Sequence, residues 1–149
     1  MKSLYDPAVA DEVRQRVARL QSTTTPAWGK MTVAQALAHC AMAMENALGD
    51  TTPPRHPLGR LIGGILKRRL IVQGKPMGRS APTHPTVLVE DERNFETERK
   101  HLQHTIDRFT SSTDACTRHP HFFFGPMTPA EWATFMYVHL DHHLRQFNV

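Results

Sequence analysis

The sequence predicts an all-α bundle of four main helices, an additional short helix and long ordered loops. Three observations predict it. Apolar residues recur at three- and four-residue spacing in five separate stretches. Two of these stretches open on a capping box, in "TVAQ" and "TPAEW". The one strand candidate, "TVLVE", is short and stands alone.

The elements follow in order. The first helix is predicted over 6–22: Asp6 caps it, Pro7 fits its first turn, and Ala10, Val13, Val17 and Leu20 form its apolar stripe. "QSTTTPAWGKM" then breaks the pattern. The second helix starts at Thr32, where Thr32 and Gln35 form the box, and ends near Leu48 before Gly49. The third is predicted over 58–72, with Leu58, Leu61, Ile62, Ile65 and Leu66 on one face and Lys67-Arg68-Arg69 near its C-terminus. Gly63-Gly64 weakens that helix or lets a neighbour approach closely. "GKPMGRSAPTHPTVLVED" reads as a long irregular lid or wrap. The fourth helix is predicted over 91–111, with Phe95, Leu102, Ile106 and Phe109 inward. The loop "SSTDACTRHPHFFFGPM" carries three consecutive phenylalanines and must be partly buried. The last helix, 128–147, has the clearest start: Thr128 caps it, Pro129 sits in its first turn and Glu131 completes the box.

Length and composition narrow the function classes. A chain of 149 residues with 40% hydrophobic and 21% charged content suits one globular domain, 1–149. A net charge of +4 favours solubility and an anionic ligand without demanding nucleic acid, and no basic–aromatic interleaving is present. Cys40 and Cys116 form no paired motif and read as free thiols of a reducing cytoplasm. The N-terminus turns charged and periodic at once, unlike a signal peptide. "LGRLIGGILKRRLIV" is interrupted by cations and too short to span a bilayer.

Histidine is the unusual residue: there are ten, four of them in 121–149. On a wheel of about 100° per residue with Trp132 at zero, the apolar face of the last helix centres near 30°. His143 falls near 20° and His139 near 340°, inside that face, while His142 lies near 280°, on its edge. Two inward imidazoles four residues apart are the spacing by which one helix offers two ligands to one metal. The bland alternative is a pair of hydrogen-bonded core histidines, but each ring then needs partners on both nitrogens.

A metal site needs a further protein ligand. On the second helix, Thr32, Gln35, His39 and Asn46 share a narrow polar stripe. Such a stripe is usually the solvent face. On a helix this apolar elsewhere it can instead line an internal cavity. The rivals are His119 and His121, an HxH pair useful only if its loop is pinned; His101 and His104, off their helix's apolar stripe; and His56 and His84, beside loop prolines.

"WGKMTVAQALAHC", followed much later by "HFFFGPMTPAEWATFMYVHLDHHLRQF", resembles the DinB/YfiT-like superfamily of metalloenzymes, closest to a DinB-like subgroup of unknown function. The resemblance covers essentially the whole chain. It implies a four-helix bundle with an added short helix, often dimeric. It also implies a divalent metal held by one histidine of the second helix and two of the last, here His39, His139 and His143. Where the superfamily commonly has Arg-Gly-Gln after its double histidine, this chain has Leu144-Arg145-Gln146. The chemistry implied is that of a metal-dependent enzyme, either a hydrolase or a transferase using a low-molecular-weight thiol. A metal- or ligand-binding module without turnover is the alternative.

Three neutral imidazoles on Zn²⁺, Ni²⁺ or Fe²⁺ leave coordination positions open for a small-molecule substrate or a thiol. Gln35, Asn46, His142 and Gln146 are candidates for orienting the ligands or lining the pocket. Asp141 and Glu45 are candidates for fixing an imidazole tautomer, with surface ion pairing as the alternative.

Overall fold

The computed structural model describes residues 1–79 and 85–149. His84, one of the loop histidines, lies outside the described residues. Five α-helices are present, and no strand among the described residues: α1 Pro7–Arg19, α2 Val33–Leu48, α3 Pro57–Lys67, α4 Phe95–Thr110 and α5 Pro129–Gln146. A π-helical turn, Arg68–Val72, continues α3, and two short 3₁₀ turns occupy Pro85–Val87 and Thr113–Ala115. The strand candidate therefore begins as a 3₁₀ turn. It has no strand to pair with among the described residues, and the carbonyls of Val87 and Asp91 bond side chains of α2 instead.

The local signals place the helix starts. The Asp6 side chain accepts from Ala8 N at 3.0 Å, and Asn94 accepts from Thr97 N at 3.0 Å, so α4 begins at Phe95 rather than near 91. Both capping boxes form, at Thr32–Gln35 and at Thr128–Glu131. α1 stops at Arg19 because Leu20 turns extended and drops into the core.

α2 packs against α4 and α5, and α1 packs against both of those helices. Alanines at 36, 41 and 47 keep the α2 surface low, so its neighbours approach closely. Around them Met44, Leu102, Ile106, Phe109, Trp132, Met136 and Leu140 are fully buried. Leu4 closes one end, its amide donating to the Ala133 carbonyl at 3.2 Å. No helix among the described residues is long and apolar enough to cross a membrane.

α3 departs from the apolar-face expectation. Leu61 and Ile65 are 79% and 70% exposed. The buried side of the helix is instead the glycine side, Gly59 and Gly63, which lies against the backbone of Phe123. A Cβ on Gly59 would stand 2.6 Å from the Phe123 carbonyl oxygen, and one on Gly63 would overlap that oxygen. Gly64, by contrast, faces open space. The two adjacent glycines should thus respond oppositely to alanine. Gly64→Ala should stabilise by up to about 1 kcal/mol through helix propensity. Gly63→Ala should destabilise by about 1–3 kcal/mol, because backbone must move away from backbone. Denaturant midpoints of the two variants check this, and a stabilised Gly63→Ala would refute the close approach.

Candidate metal centre

Three histidines from two helices meet at the floor of a cavity. His39 sits in the second turn of α2, and His139 and His143 occupy successive turns of α5. All three are buried, at 5%, 6% and 9% exposure. One ring nitrogen from each lies within 4.8 Å of the others. The ring centroids are 4.9 Å apart for His39–His139, and 4.8 Å apart for both His39–His143 and His139–His143. Among the described residues this is the one group of three or more potential metal donors.

The hydrogen bonds set the tautomers. His39 Nδ1 is 2.7 Å from the Val87 carbonyl, which can only accept, so the proton is on Nδ1 and Nε2 carries a lone pair. His143 Nδ1 is 2.9 Å from Gln146 Oε1. The Gln146 amide is itself oriented, since its Nε2 donates to the Trp28 carbonyl at 2.7 Å. The His143 proton is therefore also on Nδ1 and its Nε2 is bare. His139 Nε2 is 3.0 Å from His39 Nε2. Two of the three inward nitrogens are thus obligate acceptors, and His139 can give a proton to only one of them. Its own Nδ1 is buried with no hydrogen-bond partner among the described residues.

Such a cluster is poorly satisfied by hydrogen bonds alone. One cation accepts all three lone pairs at once, so the donor set fits a divalent metal: three neutral nitrogens, no carboxylate, two rings fixed by carbonyl oxygens behind them. Electrostatics agree. Burial pushes the His143 imidazole down to about 3, with His39 adding to the shift. Burial also lowers His39, and burial together with the neighbouring rings of His143 and His39 holds His139 well below the usual imidazole range. Neutral imidazole is the form that ligates.

The chain segments around the floor are tied to one another. Gln146 also accepts, at its backbone carbonyl, from Ala27 N at 2.7 Å. Gly29 adopts φ +80, where a Cβ would stand 2.7 Å from Gln146 Nε2. The "WGK" turn and the end of α5 are thus one unit that holds His143. Gln146→Leu should keep the fold but weaken metal binding about 10–100-fold, because the imidazole loses the carbonyl that fixes it. Metal titration with a competing chelator measures this, and unchanged affinity would show that Gln146 only packs.

The other candidates divide. Asn46 and His142 line the cavity with the three histidines, as does Gln146. Asn46 is buried and its Oδ1 accepts from Thr51 Oγ1 at 2.6 Å. His142 stands edge-on to Trp28 and to His143, with its pKa lowered mainly by burial. Gln35 is not at the cavity: its side chain is spent on the Thr32 amide and on the Asp91 carbonyl. Asp141 pairs with Arg16 at 2.8 Å, and Glu45 with His101 at 2.8 Å, so neither carboxylate touches a ring of the cluster. His104 and His119 are exposed.

His121 gained a role that its spacing did not reveal. It lies 6% exposed in the cavity wall. Its Nδ1 accepts from the amides of Phe123 and Phe124, each at 3.1 Å, and its backbone pairs with Gly125, which adopts φ +85. The ring stacks between Phe122 and Phe124. This histidine therefore pins the loop and shapes the wall. The sequence signal for it was the run of three phenylalanines that follows it, which requires part of the loop to be buried. Cys40 follows His39 directly but faces the core, and burial pushes its thiol up. Cys116 is paired with the Tyr5 hydroxyl at 2.9 Å and does not line the cavity, so any thiol chemistry here would need a thiol from outside the chain.

The sequence profile of a family described as "Protein of unknown function (DUF1569)" matches residues 3–149. The chain belongs to that family. The family sits within the DinB/YfiT-like superfamily. No curated protein and no solved structure matches the chain.

Proposed function

We propose that the protein is a divalent-metal-dependent enzyme acting on a small molecule, as a hydrolase or as a transferase that uses a low-molecular-weight thiol. One observation carries the reading: ring nitrogens of three buried histidines converge, and the Val87 and Gln146 oxygens fix two of the rings with a lone pair on Nε2. His39, His139 and His143 would hold Zn²⁺, Ni²⁺ or Fe²⁺. A metal bound there supplies Lewis-acid polarisation and acidifies a water or thiol that it coordinates.

The chain's own residues do the rest. Gln146 and Val87 hold two rings in their ligating tautomers. Asn46, whose Oδ1 is engaged by Thr51, offers its amide protons to a substrate oxygen at the cavity floor. His142, half-buried with its imidazole lowered chiefly by burial, lines the cavity, where it can hold or pass a proton. The same reading takes the chain as one DinB-like four-helix bundle domain with α3 added, working in the cytoplasm as a homodimer and without nucleic acid.

The test is elemental analysis of protein purified without a histidine tag, followed by turnover assays of the metal-loaded protein. One panel offers esters and amides, and the other small thiols with electrophiles. About one equivalent of metal and turnover in either panel is the expected result. Metal-free protein would end the reading. Stoichiometric metal with no turnover would turn it into a binding module.

A further inference from the structure

We infer that the cavity above the three histidines takes an apolar small molecule with one metal-coordinating head group and no positive charge. The head group rests on the metal-site reading above; the apolar body rests on the cavity walls alone. The cavity measures ≈ 470 Å³, within the range of small-molecule sites. Asn46, His142 and Gln146 line it with the three histidines, and Lys30, His56 and His121 are its other polar groups. The rest of its lining is mostly aliphatic and aromatic, and includes Leu58, Ile62 and Leu66 of α3 and the Phe122–Phe124 run, whose backbone α3 packs against.

Charge narrows the ligand further. Among the described residues lining the cavity there is no Asp or Glu, and Lys30 is the one Lys or Arg. Residues 51–89 as a whole contain seven Lys or Arg and no acid. A ligand cation would meet no counter-charge, and would lose hydration against leucine and phenylalanine side chains. A polyanionic ligand would bury its extra charges in the same walls. Leu58 and Ile62 line the cavity yet stay about half and a third exposed. Apolar side chains left open to water in a concave site are the surface that an apolar ligand covers. Each methylene covered should tighten binding about fourfold.

The experiment uses tag-free protein of measured metal content, titrated calorimetrically. One ligand series runs from acetohydroxamate to octanohydroxamate. A second is n-alkanols of matched length, which lack the head group. A third is the longest hydroxamate carrying a terminal ammonium. Affinity should rise about fourfold per methylene in the first two series. The ammonium analogue should lose that gain. The Leu58→Ser/Ile62→Ser variant, altered at partly exposed positions, should keep its metal and its acetohydroxamate affinity while the chain-length slope flattens. Stoichiometric metal with a flat slope would overturn this inference and leave the proposed function standing. An ammonium analogue binding as well as its alkyl parent would overturn it too. Metal-free protein with a graded alkanol series would do the reverse, removing the metal reading and keeping the apolar site. A metal-free protein with flat slopes would remove both.

Discussion

His139→Ala protein, purified without a tag, is expected to hold less than about a tenth of the metal of the parent chain while keeping its helical content. The reason is geometric. His139 Nε2 stands 3.0 Å from His39 Nε2 and belongs to the same α5 face as His143, so its loss leaves two donors on different helices. Two imidazoles do not make a closed or open three-ligand site. The fold should survive, because the neighbouring core residues Phe135, Met136 and Leu140 remain in place. In the absence of metal the substitution also removes a ring whose Nδ1 is buried without a partner among the described residues. Its cost should therefore be smaller than that of other buried large-to-small changes. The two proteins separate on adding metal. At a free metal concentration about 100-fold above Kd the parent should gain about 2.7 kcal/mol, and the variant nothing. His39→Ala and His143→Ala should behave like His139→Ala. His142→Ala should retain its metal, since that ring is outside the converging group. Elemental analysis with thermal melts in chelator and in metal reads all of this. A fully loaded His139→Ala would show that the metal sits elsewhere.

The half of this site on α5 was legible because a helix long enough to bury a face declares that face by its apolar residues. Trp132, Met136 and Leu140 orient the wheel, and His139 and His143 follow. The α2 half was ambiguous for a physical reason. A polar stripe on an otherwise apolar helix is written the same way whether it meets solvent or a cavity. His39 and Asn46 are buried, whereas Thr32 on the same stripe is exposed, so one stripe serves both ends. α3 was misleading. Its leucines and isoleucines mark an amphipathic face, but packing there is decided by Gly59 and Gly63, which contribute no hydrophobic signal. The partner of His39 was also unreadable: Val87 supplies a backbone carbonyl, and backbone geometry in an irregular segment leaves no trace in residue type.

The metal-free protein should lose stability steeply as pH falls below about 6.5, the ordinary imidazole value. His143 is pushed down to about 3 in the folded chain, and His139 and His39 are also lowered, chiefly by burial. In the unfolded chain all three titrate near the ordinary value. Above that pH both states are neutral at these rings and the histidines contribute no pH dependence. Below it the unfolded state takes up protons that the native state refuses, so unfolding is favoured by about 1.4 kcal/mol per pH unit for each such ring. The loss continues until the folded groups themselves protonate, near 3 for His143. The lowered carboxyls, Asp50 beside Arg108 and Glu131 beside Lys67, act only below about pH 4.5, so they do not mask the histidine window. Urea midpoints in chelator between about pH 7.5 and 4.5 should show protons taken up on unfolding, by half-buried His142 as well as by the three converging rings, and His143→Ala should remove one of them. Saturating metal should hold the midpoint higher at the upper end of the window and release it further down, because protons and metal compete for the same lone pairs. A midpoint that does not move between pH 6.5 and 4.5 in the metal-free protein would mean that the three rings are hydrated, not buried.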